Sequence, residues 1–259
     1  MITRVRSSVA YLAIAVVGFV AFVWPFWFPT ESGTNTAHTG DAWVWAMLLG
    51  ILTVGALTLE ISQRRINGAT IATLGVLAAM NSLLRLLDLP GGGNAMFFLT
   101  VIAAAAFGAR FGTLLGLTAM AASAIITAGV GPWMPYQMLA LAAMGAAAGA
   151  FGKVIARFPL KAQVAGLAAF AWFWAFIYGA TMNLWFWPLI RDGGRLSYEP
   201  GIGAAATAHR YWSYYFLDSF AWDAAGAVAN AAFIVILGAP LLRSMRRIAH
   251  RLEPSTVWV

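Results

Sequence analysis

The chain has 259 residues, of which 61% are hydrophobic and only 10% are charged, with a formal net charge of +7 and no cysteine. A soluble domain usually carries about a quarter charged residues, so this composition predicts a membrane protein and excludes an ordinary soluble fold. In such a chain Lys and Arg report orientation rather than nucleic-acid binding, and the lack of cysteine excludes disulfides, iron–sulfur clusters and thiol nucleophiles.

The predicted elements are eight apolar helices, at about 8–28, 43–62, 69–87, 95–107, 112–128, 134–152, 162–187 and 215–242. A membrane-crossing helix needs roughly 20 residues, and most of these segments reach that length. The first segment ends in WPFWFP instead of a small-residue cleavage site, so we interpret it as a span and not as a signal peptide. The fourth segment, 95–107, is too short to cross comfortably and must be tilted, broken or shielded by its neighbours.

The basic residues predict the orientation of these helices. If all eight segments cross, both termini share one side with most of the Lys and Arg residues, namely Arg4, Arg6, Arg64, Arg65, Arg110, Lys153, Arg157, Lys161, Arg243, Arg246, Arg247 and Arg251. The positive-inside rule then places both termini in the cytoplasm. The expected fold is therefore an all-α membrane protein with about eight transmembrane helices.

The loops on the opposite side, at about 29–42, 88–94, 129–133 and 188–214, are rich in Gly, Pro, Trp and Tyr. This side is where we expect a small molecule to be recognised. The alternative is that the aromatic residues only anchor the helices at the membrane interface.

The sequence carries no set of catalytic residues. The three histidines lack the helical spacing of metal ligands, and neither an HExxH nor a GxSxG motif is present. The segment GAFGKV at 149–154 lacks the Ser or Thr of a phosphate-binding loop. We therefore predict no enzymatic activity and no cofactor, and any active transport must draw its energy from a partner or an ion gradient.

Small residues recur at helical spacing in three segments. Gly108, Gly112 and Gly116 form one stripe and Gly145, Gly149 and Gly152 form another. Such stripes let helix backbones approach closely, and we interpret these two as packing within the chain. The third segment carries a further stripe, which consists of Ala72, Gly75, Ala79 and Ser82.

Polar residues inside apolar segments need a reason, because they are costly in hydrocarbon. They are Asn81, Arg85, Asn183, Asp218, Asp223 and Asn230. They form either the lining of an outward-facing cup or braces between helices, for example between Arg85 and Asp218. Asp223 and Asn230 lie deeper, which favours a structural role for these two.

The stretches ATLGVLAAMNSLLRLL (72–87), GGGNAMFFLTVIAAAAFGARFGTLLG (91–116) and GVGPWMPYQMLALAAMGAAAG (129–149) resemble the substrate-binding S components of energy-coupling factor (ECF) transporters, most of all the actinobacterial type. NLWFWP (183–188) and the Asp-containing last helix are also similar. The resemblance covers about 66–250 and implies a six-helix core there. Residues 1–65 would then be two extra N-terminal helices, and 251–259 a cytoplasmic tail.

The resemblance implies that the protein binds a vitamin or related micronutrient from outside, in a bacterial plasma membrane. It would dock on a transmembrane T subunit that two cytoplasmic ATPases drive. The substrate-binding residues implied by the matching loops are Arg85, Asn94, Trp133, Tyr136, Gln137, Asn183, Trp187, Tyr215 and Asp218. The T-subunit contact implied by the family's AxxxA pattern comprises Ala72, Gly75, Ala79 and Ser82, although neither Gly75-xxx-Ala79 nor Ala78-xxx-Ser82 is a literal match.

The residue types suggest what kind of substrate would fit. Pro132 and Pro135 stiffen the mouth of the sixth segment, Trp133 and Tyr136 can cover a ring system, and the amide of Gln137 can donate and accept. This favours a large, flat or partly apolar molecule. Together with the similarity to the cobalamin-type S components, it suggests a corrinoid such as cobalamin first, and riboflavin or another heteroaromatic vitamin second. The alternative function is that of a stand-alone secondary transporter, which typically has an inverted repeat and discontinuous helices. A membrane enzyme or a purely structural protein has less support in the sequence.

Overall fold

The computed structural model describes residues 2–27, 40–63, 66–87, 95–191 and 193–252, with the side chains of residues 2–7 excepted. Within these ranges the chain forms helices and no strand. The helices are α1 (Ile2–Trp27), α2 (Ala42–Ser62), α3 (Gly68–Leu84), α4 (Met96–Phe107), α5 (Ala109–Ile126), α6 (Met134–Ile155), α7 (Leu160–Phe186), α8 (Ala204–Asp218) and α9 (Phe220–Arg251). A short 3₁₀ helix, Trp187–Leu189, follows α7.

Six of these helices are long and apolar enough to cross a membrane. The candidate spans are Ser8–Trp27, Ala42–Ser62, Ala109–Ile126, Met134–Ile155, Leu160–Leu189 and Phe220–Arg251. The helices α3 and α4 are apolar but shorter, with 17 and 12 residues. The protein is thus an all-α, multi-pass membrane protein.

The helices place chemically different residues at the two ends of the bundle. Arg110 contacts Glu60 and Ser8 at one end, which we call the basic end because it also holds Arg157 and Arg246. The starts of α6 and α8 lie at the other end, which we call the aromatic end because it holds Trp133, Trp187, Tyr211 and Trp212.

The predicted segment 215–242 is wrong at its start, because the chain forms two helices there. The helix α8 is amphipathic and ends at Asp218, and α9 begins at Phe220 and continues to Arg251. Ser219 between them has φ −119° and ψ −16°, and Asn183 of α7 donates a hydrogen bond to its hydroxyl. This contact fixes the position at which the chain turns.

The short helix α4 is shielded by its neighbours, which is one of the three explanations that its length allowed. Val101, Ile102, Ala103 and Ala104 are fully buried, and α3, α5, α6, α7 and α9 all pack around them. The first N–H groups of a helix have no partner within it. Asn230 of α9 supplies a partner for one of them, because its Oδ1 accepts a hydrogen bond from the Phe98 amide at 2.9 Å. This contact confirms the structural role expected for Asn230.

The glycine stripes of α5 and α6 form a close helix crossing, as predicted. A Cβ atom on Gly116 would lie 2.6 Å from the Cα of Ala142, and Gly112 and Gly145 contact each other through their backbones. Gly152 lies equally close to Ala105 of α4. Gly108 also packs against α6 as predicted, because a Cβ atom on Gly149 would lie 2.4 Å from its carbonyl carbon. In addition, its φ of 95° makes the turn between α4 and α5, a conformation that favours glycine.

The first two helices are attached to the rest of the bundle at both ends. At the aromatic end, Tyr136 of α6 donates to Asp41 at 3.0 Å, and Trp45 donates to the same carboxylate oxygen. At the basic end, Arg110 of α5 pairs with the fully buried Glu60 of α2 at 3.3 Å. These contacts hold α1 and α2 against the core.

Candidate functional site

Arg85 lies directly after α3 and joins three helices at the aromatic end. Its Nη1 donates to the Met120 sulfur and the Ser123 hydroxyl on α5, at 3.2 and 3.3 Å, and its Nη2 donates to Oε1 of Gln137 on α6 at 3.2 Å. The structure therefore brings together two of the predicted site residues, Arg85 and Gln137. The suggested brace between Arg85 and Asp218 is not formed, because the side-chain hydrogen bonds of Arg85 within the described part of the chain go to α5 and α6.

A second polar group lies where α7, α8 and α9 meet. Tyr215 interacts with the carboxylate of Asp223 and donates to the Phe176 carbonyl at 3.4 Å. The Oδ2 atom of Asp223 is enclosed and has no hydrogen-bond partner among the residues that the structure describes. Gly179 of α7 makes room for this carboxylate, because any Cβ atom there would overlap with it.

Tyr178 connects the two polar groups. It is within electrostatic range of both Arg85 and Asp223, and its ring centroid lies 4.7 Å from that of Phe97 on α4. Six side chains share this region and remain partly exposed, although they lie among helices. They are Arg85, Phe97, Gln137, Tyr178, Asn183 and Asp223. We call these six residues the polar site.

The polar site offers complementary chemistry on different helices. Arg85 supplies a fixed positive charge, Asp223 supplies an acceptor, and the amides of Gln137 and Asn183 can both donate and accept. The rings of Phe97 and Tyr178 add apolar faces. Such a set can bind a partly aromatic molecule that has both donors and acceptors. Within the described ranges no group of three side chains is arranged to hold a metal ion.

The hydroxyls of two α8 tyrosines bind to carbonyls of α7. Tyr211 donates to Ala180, and Tyr215 donates to Phe176, one helical turn away. Burial raises the pKa of both hydroxyls above the ordinary value, and nearby acidic groups add to the effect. Both tyrosines therefore stay protonated at neutral pH and hold α8 against α7.

The aromatic residues predicted for the site lie in other surroundings. Trp133 is 39% exposed at the start of α6. Tyr136 is fully buried, with its ring 5.3 Å from that of Phe22 and its hydroxyl on Asp41, so it joins α6 to α1 and α2. Trp187 is buried in a separate cluster with Tyr198, Tyr211 and Tyr214.

The remaining predicted residues also differ in location. Asp218 is exposed and lines a cavity between α8 and the preceding loop, away from Arg85. Asn94 lies outside the described residues. Phe97, Ser123 and Tyr178 were not predicted, and Asp223 was predicted to have a structural role. A tyrosine in the middle of an apolar helix is a signal that could have identified Tyr178, because its hydroxyl needs a polar partner, whereas Ser123 has no such signal.

A cavity of about 430 Å³ lies between α1, α6 and α7. Its walls are apolar or small side chains such as Phe19, Leu139, Ala143 and Ala146. None of the predicted substrate-binding residues lines it, so this cavity offers little for recognising a polar ligand.

The small residues predicted to contact a partner separate into two groups. Ala72, Gly75 and Ala79 are exposed on one face of α3, and a Cβ atom on Gly75 would meet nothing within 4 Å. Ser82 is buried, and its hydroxyl donates to the carbonyls of Ala78 and Ala119. The exposed face of α3 thus comprises three of the four predicted residues.

No protein family, curated protein or solved structure matches this chain.

Proposed function

We propose that this protein captures a vitamin or related micronutrient at its aromatic end and acts as the substrate-binding S subunit of an ECF-type importer. The observation that carries the proposal is the polar site. It holds Arg85 against Gln137 at one side and Asp223 at the other, and all its members remain partly exposed. Ionisable side chains within a membrane bundle are costly, and those that occur commonly mark a binding site or an ion pathway.

The proposed orientation places the aromatic end outside a bacterial plasma membrane and both termini in the cytoplasm. In this layout α3 and α4 cross together with the six longer helices. The positive-inside bias supports it, because Arg110, Lys153, Arg157 and Arg246 belong to the basic end. The short length of α4 is compatible with crossing because protein and not lipid surrounds it.

The proposed contact with a T subunit is the exposed small-residue face of α3. The glycines of α5 and α6 are already in contact inside the bundle, whereas Gly75 has open space. A groove of about 360 Å³ between α3 and α9 lies beside this face, with Thr73, Val76 and Leu241 in its walls. A close but reversible helix contact needs such a surface. Two cytoplasmic ATPases would then drive transport.

The proposed substrate is a corrinoid such as cobalamin, with riboflavin as the second candidate. Both combine a large ring system with amide-like donors and acceptors, which the amides of Gln137 and Asn183 and the rings of Phe97 and Tyr178 would match. No phosphate-binding cluster of several cations lies at the polar site, where Arg85 is the basic member.

A second candidate function, a stand-alone secondary transporter, is favoured by Asp223. A carboxylate with an enclosed, unpartnered oxygen inside a helix bundle is typical of sites that bind a coupling proton or ion. The two functions differ in what the purified chain does alone. Uptake into proteoliposomes driven by an ion gradient, without T subunit or ATPases, would establish the secondary transporter.

The test is ligand-dependent thermal stabilisation of the purified protein, with cyanocobalamin and riboflavin as probes. A ligand at about 100 times its Kd adds about 2.7 kcal/mol to the free energy of unfolding. In the proposed site the Gln137 amide also bonds to the ligand, and a hydrogen bond contributes about 0.5–1.5 kcal/mol. We therefore expect Gln137→Ala to raise Kd by up to roughly tenfold.

The matched control is Gln163→Ala at the basic end. Gln163 accepts from Arg246 at 2.6 Å, so the substitution breaks the same kind of contact far from the polar site. It should leave ligand affinity unchanged. Equal loss of affinity in both variants, or no loss in Gln137→Ala, would remove the polar site from substrate binding.

A further inference from the structure

A further cavity, of about 340 Å³, lies at the aromatic end between α8 and the loop before it. Arg195 and Asp218 line it together with the hydroxyls of Ser197 and Tyr214, and its apolar walls include Leu217. None of the six residues of the polar site lines this cavity. It is therefore a separate location with its own chemistry.

The two charges of this cavity are not paired with each other. Arg195 is exposed and makes no hydrogen bond or ion pair with any residue that the structure describes. Asp218 is exposed too, and its carboxylate lies close enough to the Tyr214 hydroxyl to affect its pKa. Burial, with a further contribution from Asp218, raises the pKa of Tyr214, so this hydroxyl remains a donor. A positive and a negative side chain thus stay available on the walls of one cavity.

A nearby arginine shows the contrasting case. Arg210 of α8 pairs with Glu199 at 2.7 Å, and it does not line the cavity. The carboxylate of Glu199 therefore already neutralises the charge of Arg210. Arg195, by contrast, has its guanidinium available for an anion from outside.

The surface beside the cavity is apolar and continues onto a transmembrane helix. Phe216 and Leu217 of α8 are 58% and 75% exposed. The ring of Phe216 lies 5.3 Å from that of Phe220, which in turn stacks at 5.4 Å on Phe176 of α7. An amphipathic helix with exposed aromatic residues is typical of the membrane interface. In a membrane, this surface would place the cavity at the depth of the lipid headgroups.

We propose that this cavity binds the headgroup of a zwitterionic phospholipid that carries a primary amine. The phosphate contacts Arg195, since a guanidinium fork matches phosphate oxygens. The ammonium donates to Asp218, whereas a quaternary ammonium has no N–H group to donate. The acyl chains lie along Leu217 and Phe216, which is why the occupant is a lipid and not a free zwitterion.

The test is lipid retention measured by native mass spectrometry on protein released from vesicles that contain equal amounts of phosphatidylethanolamine, phosphatidylcholine and phosphatidylglycerol. We expect the ethanolamine lipid to be retained in preference. Arg195→Gln and Asp218→Asn should each reduce this preference about two- to fivefold, the range for partly exposed charge contacts. The matched control, Arg210→Gln, should leave the preference unchanged.

Four results would overturn the proposal. These are equal retention of the three lipids, preference for the glycerol lipid, equal effects of Arg195→Gln and Arg210→Gln, and full competition by soluble glycerophosphoethanolamine, which would indicate a free zwitterion. Thermal unfolding of each variant checks that it is folded, and Arg195→Lys provides a second variant that keeps the charge but loses the fork. This test needs no transported substrate, so it is independent of the proposed function.

Discussion

Replacing a glycine by alanine should have opposite effects on stability at Gly116 and at Gly75. A Cβ atom on Gly116 would lie 2.6 Å from the Cα and N of Ala142, both backbone atoms of α6. Carbon atoms ordinarily approach to about 3.5–4.0 Å, so α5 and α6 would have to separate by about 1 Å. Overpacking of this kind costs about 1–3 kcal/mol, which the higher helix propensity of alanine, about 1 kcal/mol, offsets only in part.

We therefore expect Gly116→Ala to lower the free energy of unfolding by up to about 2 kcal/mol. At Gly75 the added methyl group meets nothing within 4 Å, so the propensity gain remains and Gly75→Ala should be neutral or stabilise by up to about 1 kcal/mol. Thermal unfolding of both variants in the same detergent measures the difference. Changes of the same sign and size in the two variants would refute the close α5–α6 crossing.

Two further substitutions test other contacts. Ala79→Leu adds bulk to the exposed face of α3 and should reduce the yield of complex with the T subunit while ligand affinity stays unchanged. Gly50→Leu on the exposed face of α2 is the control. A normal yield of complex from Ala79→Leu would show that the interface lies elsewhere. Glu60→Gln should destabilise the protein, because it removes the anion that pairs with Arg110. Breaking a fully buried ion pair costs about 3–5 kcal/mol. The loss of stability should be smaller here, since the Arg110 side chain is 28% exposed. Adding Arg110→Gln to Glu60→Gln should recover part of the loss in a denaturation series, and strictly additive losses would contradict the pairing.

The apolar helices could be predicted closely from the sequence, since long apolar runs between charged, Gly and Pro residues determine where helices begin and end. The fourth segment was predicted at 95–107 and forms Met96–Phe107. The glycine stripes could be predicted for the same reason, because small residues at every fourth position have a clear physical use in lipid. Arg85 was identified as a polar residue at the end of an apolar segment, and Gln137 by its place at the start of the sixth segment.

Other features depend on tertiary packing and could not be predicted. The helix α8 mixes tyrosines with Arg210 and His209, so a search for apolar runs passes over it. Tyr136 was expected to cover a ligand, but α1 and α2 pack against its side of α6 and occupy its hydroxyl. No local pattern indicates which face of a helix two distant segments will cover.

The most direct test of substrate capture from outside is the labelling of a single cysteine in the polar site. The chain has no cysteine of its own, so Phe97→Cys and the basic-end control Lys153→Cys each introduce one thiol. We expect a membrane-impermeant maleimide to label Phe97→Cys in intact cells, and cyanocobalamin or riboflavin, whichever stabilises the protein, to protect it. Lys153→Cys should react only in inverted vesicles. Labelling of Phe97→Cys from the cytoplasmic side alone, or without protection by either compound, would contradict the proposed function.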